Sequence, residues 1–407
     1  MGVDARGGGT AGERFEPAPR VLLGPGPSGV HPRVLRAMSA PLLGHLDPQF
    51  LELMEDVKRL LRLTFRTQNR FTMPLSATGS AGMEAVLVNL LEPGDPVLIC
   101  VTGVFGVRMA EVARRAGAEV TTIELPWGEV ADPARVRAFL DSAYRDPQRQ
   151  PKVFAVVHAE TSTGARQPLE ALGQLAHERG ALFVVDAVTS LGGCPLEVDQ
   201  WRIDACYSGT QKCLSCPPGL SPVTFSETAL ERVRHRSRPV QSWYLDVGLL
   251  DQYWGASRVY HHTAPISMIY ALHESLRLVH EEGLEARWAR HERNHRALVA
   301  GLEALGLELP VAREHRLPML NSVGVPEGVD EGAVRGALLS RHGIEIGAGL
   351  GSLKGKVWRI GLMGESSTPA NVLLVLAALG EALGKKDVGA ALGAAERVLA
   401  SEEAATA

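Results

Sequence analysis

Short apolar runs alternate with amphipathic stretches through the middle of the chain. Runs of strand length occur at 97–101, 153–157, 182–185 and 223–225. Residues 106–116 and 168–179, which lie between such runs, carry apolar side chains at the spacing of one helix face. Alternation of this kind, from about residue 75 to residue 265, is typical of βα repeats. It predicts an α/β fold with a mainly parallel sheet.

The pattern changes at Pro265 to long helical segments, including one predicted over 285–305. The tail then contains predicted strands at 322–325, 344–346 and 357–360, and predicted helices at 331–341 and 369–383. This mixture indicates a smaller α+β unit. We therefore predict a flexible arm over residues 1–20, a large domain over 21–280 and a small C-terminal domain over 281–407.

The amino-acid composition argues against some classes of function. The chain has 407 residues, of which 45% are hydrophobic and 22% charged, and its net charge is -4. Nothing in these values favours nucleic-acid binding or a polybasic membrane anchor, so we expect a small-molecule partner. Five cysteines predict a reducing compartment, and the C-x2-C pair Cys213 and Cys216 has no second Cys or His group nearby, so we expect no metal ion. No signal or membrane segment is evident, so we expect a cytoplasmic protein.

One lysine and one aspartate give the first indication of a cofactor. Lys212 lies in a small-residue turn, after an apolar run and before a proline pair. Asp186 ends the buried run 181–185, and ligands of open α/β sheets bind at the carboxyl ends of strands. A lysine can form a Schiff base with an aldehyde, and an acid can pair with a pyridinium nitrogen. Together the two residues predict pyridoxal 5'-phosphate as cofactor.

A phosphate site is predicted near residue 78. Thr78, Gly79 and Ser80 combine hydroxyls and a small residue just before a helical run that reaches Leu91. The N-terminus of a helix offers backbone donors to anions, although a glycine–serine turn can also be an ordinary helix cap. The order of this turn, Asp186 and Lys212 along the chain favours the phosphate interpretation.

Several short motifs give a family resemblance. They are residues 23–28 (LGPGPS), 160–164 (ETSTG), 185–186 (VD), 208–212 (SGTQK), 260–263 (YHHT) and 358–362 (WRIGL). With them, the chain resembles the class V, fold-type I aminotransferases, and most closely the alanine–glyoxylate and serine–pyruvate aminotransferases. The resemblance implies a large domain with a seven-stranded, mainly parallel sheet flanked by helices, and a smaller C-terminal domain.

The resemblance also implies roles for individual residues. Lys212 would carry the cofactor and move the proton at the substrate α-carbon, and Asp186 would pair with the pyridinium nitrogen. Residues implied to contact the cofactor elsewhere are Thr161, near its phenolic oxygen, and Gln211, at its phosphate. Tyr260 and Thr263 would bind the neighbouring subunit's phosphate, which makes the active unit a homodimer with shared active sites. Segment 21–50 would lie at the active site and the dimer interface.

Substrate contacts follow from the same resemblance. Arg359 would bind the substrate carboxylate with its planar, forked guanidinium, close to Thr161. Gly26, in the glycine- and proline-rich segment 24–28, would lie near that carboxylate. Where animal relatives stack a tryptophan on the cofactor ring, this chain has Phe105, so we expect the smaller ring to supply the stacking face.

The expected reaction is ping-pong transamination of a small amino acid, alanine or serine, with glyoxylate or pyruvate. No second cation for a distal carboxylate is evident, which favours small substrates over glutamate. (S)-Ureidoglycine–glyoxylate and serine–glyoxylate aminotransfer remain alternatives, and a non-enzymatic cofactor-binding regulator is a further one. A cysteine desulfurase would need a late nucleophilic cysteine, and none follows Cys216.

Overall fold

The computed structural model describes residues 14–406, with side chains as far as residue 401. Its strands are β1 (Val21–Leu22), β2 (Phe71–Leu75), β3 (Pro96–Val101), β4 (Glu119–Glu124), β5 (Val153–Val157), β6 (Ala159–Glu160), β7 (Ala165–Arg166), β8 (Leu182–Asp186), β9 (Ala205–Tyr207), β10 (Ser221–Phe225), β11 (Leu320–Gly324), β12 (Ile344–Glu345), β13 (Gly347–Ala348) and β14 (Val357–Gly361). Its α-helices are α1 (Pro32–Met38), α2 (Pro48–Phe65), α3 (Gly79–Leu90), α4 (Val104–Arg115), α5 (Pro133–Ala143), α6 (Glu170–Glu178), α7 (Glu227–Arg234), α8 (Val247–Trp254), α9 (Ile266–Glu282), α10 (Leu284–Ala304), α11 (Glu331–His342), α12 (Pro369–Ala382) and α13 (Val388–Thr406).

A seven-stranded sheet forms the centre of the fold, in the order β2-β10-β9-β8-β5-β3-β4. Neighbours from β9 to β4 run parallel, whereas β10 is antiparallel to both β2 and β9. The strands β5 and β8 are buried along their whole length, as their continuous apolar runs require. The predicted α/β fold with a mainly parallel sheet is therefore confirmed.

The parallel strands bring three chain segments to one edge of the sheet. In the register of the sheet Val157 is opposite Asp186, and Asp186 is opposite Tyr207. Because β5, β8 and β9 point the same way, the residues that end these strands meet at the carboxyl edge. Helix α3 also approaches the sheet closely, since a Cβ at Gly82 would lie 2.1 Å from Ser221 Oγ.

A second hydrophobic core lies in the C-terminal third of the chain. It packs the antiparallel strands β11, β14 and β13 against helices α10, α11, α12 and α13, with Trp358 fully buried at its centre. Leu23 belongs to this core because β1 pairs in parallel with β12. The chain therefore runs from the second core directly into segment 24–28. The domain boundaries at residues 20 and 280 stay a prediction.

Most element predictions agree with the structure to within a few residues. Helix α13 was not predicted, because its alanine- and glycine-rich sequence lacks a strong apolar period, yet it packs against α10. The predicted arm lies partly outside the described residues, and its described part, 14–20, is exposed. Within residues 14–406 no helix combines the length and apolar character that a membrane crossing demands.

Candidate active site

A cavity of about 330 Å³ opens at the carboxyl edge of the sheet. Eight of the predicted site residues line it: Thr78, Gly79, Ser80, Phe105, Thr161, Asp186, Gln211 and Lys212. The remaining lining residues are Met83, Arg108, Val157, Ala159, Val188, Thr189 and Tyr207. Segments distant in sequence thus meet in one place, as the strand order requires.

Asp186 is held as an acceptor at the floor of the cavity. Its Oδ1 accepts the N–H of Val188 at 2.9 Å, and its Oδ2 accepts the Tyr207 hydroxyl at 2.9 Å. Burial raises the pKa of Asp186 to about 6, against these two donors, which lower it. The carboxylate is therefore ionised at neutral pH and suits a protonated ring nitrogen.

Lys212 brings its amine into the same cavity from the turn after β9. Burial lowers the pKa of Lys212 to about 8, so the neutral, nucleophilic amine is more accessible than in an exposed lysine. Its Nζ donates to the Pro25 carbonyl. The adjoining backbone is fixed, because Ser28 Oγ donates to the Lys212 carbonyl at 2.7 Å and Ser28 N donates to the Gln211 carbonyl at 2.9 Å.

The N-terminus of α3 faces the cavity with open donors. Thr78 is its N-cap residue, but the threonine side chain makes no capping hydrogen bond. The first N–H groups of a helix have no partner within the helix, so they are available to an anion. The nearby Gln211 amide oxygen is buried without a hydrogen-bond partner among the described residues.

Phe105 and Arg108 cover one side of the cavity from the first turns of α4. The Arg108 guanidinium lies 5.0 Å from the Phe105 ring centroid, a cation–π distance. This charge also acts on Asp186 and lowers the pKa of that carboxyl, although burial has the larger, opposite effect. The aromatic face predicted at Phe105 is thus at the cavity, with a cation beside it.

Arg359 lies on β14, beside the cavity and not among its lining residues. Its Nε donates to the Ala348 carbonyl at 2.7 Å, and its Nη1 donates to the Thr161 carbonyl at 3.0 Å. Burial lowers the pKa of Arg359, so taking up an anion would compensate a desolvated charge. Gly26 is close to Lys212, since a Cβ there would lie 2.5 Å from Lys212 Nζ.

Tyr260 and Thr263 are exposed and do not line the cavity of their own chain. Their segment is tied to the turn before α3, because His262 Nε2 lies 2.6 Å from Ser76 Oγ. Burial lowers the pKa of His262 to about 4, so the ring is neutral. The Nδ1 atoms of His261 and His262 lie 2.8 Å apart, and His261 stacks on Trp243 with ring centroids 4.2 Å apart.

Sequence reasoning missed three polar residues of the site. Arg108 follows Phe105 by one helical turn, a spacing that could have indicated a shared face. Tyr207 opens the motif that contains Lys212, but its contact with Asp186 depends on strand register. Glu160 was noted only as part of a motif, and its carboxylate contacts the start of α4.

The assembled groups fit the predicted cofactor. An amine, a buried carboxylate and a helix N-terminus match the aldehyde, ring nitrogen and phosphate of pyridoxal 5'-phosphate. Each of these groups lines the same cavity, and an aromatic ring lies at its side. This fit rests on the chemical nature of these groups and not on the size of the cavity.

Comparisons with known proteins agree with this geometry. A sequence model of the family described as Aminotransferase class-V matches residues 23–365. An (S)-ureidoglycine–glyoxylate transaminase of Bacillus subtilis (strain 168) is 42% identical, over 92% of this chain and 93% of its own. An alanine–glyoxylate aminotransferase of Drosophila melanogaster is also 42% identical, over 91% and 94%. The crystal structure of an alanine–glyoxylate aminotransferase from Nostoc sp. superposes with a TM-score of 0.89 at 50% identity, covering 92% of this chain and 98% of that one.

Proposed function

Because the chain belongs to the class-V aminotransferases and is a transaminase, we propose that it binds pyridoxal 5'-phosphate around Lys212 and transfers the amino group of a small amino acid to glyoxylate or pyruvate. Alanine and serine are the proposed donors. The observation that carries the proposal is the meeting of the Lys212 amine, the Asp186 carboxylate and the N-terminus of α3 in one cavity.

Lys212 and Asp186 have the central roles in the proposed reaction. Bound pyridoxal phosphate supplies an aldehyde that condenses with amino groups and a protonated ring that withdraws electrons from the substrate α-carbon. Lys212 Nζ would hold the cofactor through that aldehyde, and its free amine would move the proton at the substrate α-carbon. Asp186 keeps the ring nitrogen protonated, which its ionised, doubly hydrogen-bonded carboxylate supports.

Other residues orient the cofactor in this proposal. Thr78, Gly79 and Ser80 bind the phosphate at the start of α3, with Gln211 as an additional polar contact. Phe105 stacks on the ring, and Thr161 contacts its phenolic oxygen. All of these side chains or backbone groups line the cavity, which supports the assignment.

Substrate recognition is assigned to Arg359 and the segment around Gly26. Two backbone carbonyls hold the guanidinium plane, so a substrate carboxylate would meet a pre-oriented fork. The cations among the described cavity-lining residues are Lys212 and Arg108, and Arg108 lies against the Phe105 ring. A cation–π contact leaves the N–H donors of Arg108 free to meet an anion, so the support for small donors comes from the alanine–glyoxylate relatives and not from the charges of the cavity.

Ureidoglycine is the second candidate donor, supported by the Bacillus subtilis relative at 42% identity. Its ureido group would need polar contacts beside the α-carbon. Serine–glyoxylate transfer is an alternative of the same chemistry, because a serine hydroxyl adds little to the size of alanine. In each case glyoxylate accepts the amino group in the second half of a ping-pong scheme.

A homodimer with shared sites is also proposed. Tyr260 and the neighbouring Trp243 are 58% and 62% exposed, which is unusual for large aromatic side chains. Their burial against a second copy would bring Tyr260 and Thr263 to the partner's phosphate. Mixing Lys212→Ala protein with a Tyr260→Phe/Thr263→Ala variant tests this, since only a hybrid with shared sites regains one intact site. We further propose a cytoplasmic location.

The function is tested by absorbance. Purified protein is loaded with pyridoxal phosphate and mixed separately with L-alanine, L-serine, L-glutamate or ureidoglycine. Rapid loss of the visible band with alanine or serine, and its return with glyoxylate, supports the proposal. Preference for ureidoglycine supports the second candidate. A protein that stays colourless with added pyridoxal phosphate contradicts both.

A further inference from the structure

We propose that Glu160 is a positioning residue that caps the helix carrying Phe105 and, through the adjoining Thr161 carbonyl, holds Arg359 in place. One buried carboxylate would thus set both the ring that faces the cofactor and the guanidinium that faces the substrate. The inference rests on the proposed function, because those two contacts are part of it.

The carboxylate accepts hydrogen bonds from two segments at once. Glu160 Oε2 accepts the N–H groups of Phe105 at 3.1 Å and Gly106 at 3.4 Å. Glu160 Oε1 accepts the N–H of Ser162 at 3.1 Å and its hydroxyl at 2.6 Å. Ser162 Oγ in turn accepts the N–H of Val104 at 3.0 Å. Glu160 and Ser162 therefore supply the cap that the first turn of α4 needs.

Gly103 shows that α4 depends on this external cap. It is the N-cap residue, a position that Ser, Thr, Asp or Asn normally fills, and it has no side chain to offer. A Cβ at Gly103 would lie 2.5 Å from Glu160 Cδ and 2.4 Å from Ser162 Oγ. The space of an ordinary capping side chain is thus occupied by Glu160 and Ser162 from another part of the chain.

The same loop leads to the substrate arginine. Thr161 lies between the two capping residues, and its carbonyl accepts Arg359 Nη1 at 3.0 Å. Movement of Glu160 would therefore shift Thr161 together with the start of α4. The expected result is a joint effect on cofactor and substrate binding, which loss of a remote structural contact would not produce.

The hydrogen-bond donors around Glu160 suit a carboxylate, whereas burial opposes its charge. Glu160 is 1% exposed, and among residues 14–401 no cationic side chain lies within ion-pair distance of it, although the Arg359 guanidinium and this carboxylate attract each other at longer range. Burial raises the pKa of Glu160 to about 7, against the Ser162 and Gly106 donors, which lower it. The positive end of α4 adds to the stabilisation of the anion. The N–H and hydroxyl donors, with the positive end of α4, thus stabilise the Glu160 carboxylate in place of an ion-paired cation.

Glu160→Gln provides a shape-conserving test. A carboxylate accepts on both oxygens, whereas an amide directs its NH2 toward one set of donors, either the N–H groups of α4 or the N–H of Ser162. Loss of such an acceptor weakens a cap by an amount that corresponds to roughly a tenfold change in an equilibrium constant. We expect about tenfold weaker binding of pyridoxal phosphate. The KM for the amino-acid substrate should rise about threefold to tenfold, with kcat changed less.

Hydrogen exchange gives a readout that needs neither cofactor nor substrate. Peptides covering residues 103–107 are followed by mass spectrometry in the cofactor-free protein, and Glu160→Gln should exchange faster there. Ser162→Ala, which removes the Val104 acceptor, should act in the same direction with a smaller effect. If Glu160→Gln folds poorly, Ser162→Ala provides the test of the cap in its place.

Asp204→Asn is the matched control. Asp204 is also buried and accepts the N–H of Phe183 and the Ser226 hydroxyl, each at 2.9 Å, at the opposite end of the strands, and its Oδ2 lies 3.1 Å from His177 Nε2. This variant should lower thermal stability without changing cofactor affinity or KM. Equal effects of both variants on cofactor binding would overturn the inference, as would unchanged exchange at 103–107. A wild-type protein without transaminase activity would instead refute the proposed function. Hydrogen exchange at residues 103–107 would then still test whether Glu160 caps α4.

Discussion

The hydroxyl of Tyr207 donates a 2.9 Å hydrogen bond to Asp186 Oδ2, across the neighbouring parallel strands β9 and β8. Burial raises the pKa of Tyr207 well above its usual value, so its hydroxyl stays protonated and remains a donor. A hydrogen bond to an ionised carboxylate favours that form, and this one lowers the pKa of Asp186. Tyr207 thus helps to keep Asp186 anionic in a buried site.

Tyr207→Phe should move the acid limb of the activity profile. Without the hydroxyl, the pKa of Asp186 rises, so activity is lost at higher pH on the acidic side. We expect a displacement of about one pH unit or less, since one hydrogen bond to a charged group is involved. The measurement is kcat/KM against pH from 5 to 9 in the loaded enzyme. Tyr270→Phe, whose hydroxyl contacts Pro41 and Leu43 elsewhere, is the control. An unmoved acid limb would contradict this role for Tyr207.

Lys212→Met should abolish transamination and stabilise the cofactor-free fold. Burial lowers the pKa of Lys212 to about 8, so a charged amine at pH 7 costs folding free energy. Removing it should raise the free energy of unfolding by about 1–3 kcal/mol. Urea unfolding at pH 7 measures this, with the exposed Lys386→Met as control.

The pH dependence of unfolding separates this electrostatic cost from a change in packing. Between the folded pKa of about 8 and the ordinary value of 10.5, the unfolded chain binds more protons at residue 212. The contribution of Lys212 to stability therefore improves as pH rises through that window. The gap between wild type and Lys212→Met should narrow from pH 8 to pH 10. A gap that stays constant would point to packing instead.

Gly26→Ala should damage the site through a single methyl group. The added Cβ would lie 2.5 Å from Lys212 Nζ, and Gly26 has a φ of 106°, which alanine adopts only with strain. We expect at least roughly a tenfold loss of kcat/KM, because the amine must move to relieve the contact. Gly44→Ala, with nothing within 4 Å of the added atom, should be neutral. Full activity of Gly26→Ala would show that segment 24–28 lies farther from the amine.

The sequence allowed the sheet and most of the cavity to be predicted, because those signals are local. Apolar runs mark buried strands, Asp186 ends one of them, and Lys212 lies in the turn that follows another, at the edge where open sheets bind ligands. The structure brings both residues, with Thr78 and Gln211, into one cavity. Such residues are recognisable without knowing which strand lies beside which.

The contacts that were missed depend on pairing between distant segments. Tyr207 meets Asp186 only in the observed register of β8 and β9, and a one-residue slip would turn its side chain to the other face. Glu160 caps a helix that begins more than fifty residues earlier, at a position where Gly103 leaves no local capping signal. Neither contact has a sequence pattern of its own.

Arg359→Lys should fail to preserve substrate binding although it keeps the charge. The guanidinium is held by the carbonyls of Ala348 and Thr161 while presenting further N–H groups, whereas an ammonium cannot hold these two contacts and offer a fork to a carboxylate. We expect KM for both the amino acid and the keto acid to rise about a hundredfold, with a smaller change in kcat. Steady-state kinetics with each substrate varied in turn measure this.

The control for this substitution is Arg335→Lys. Arg335 makes a part-buried ion pair with Glu331 within helix α11 and does not line the cavity, so kinetics should be unchanged. Because every α-amino and α-keto acid shares the α-carboxylate, loss of the fork at Arg359 should penalise all donors by a similar factor. A penalty confined to one donor would mean that Arg359 contacts that donor's side chain instead, and the carboxylate would then need a different partner.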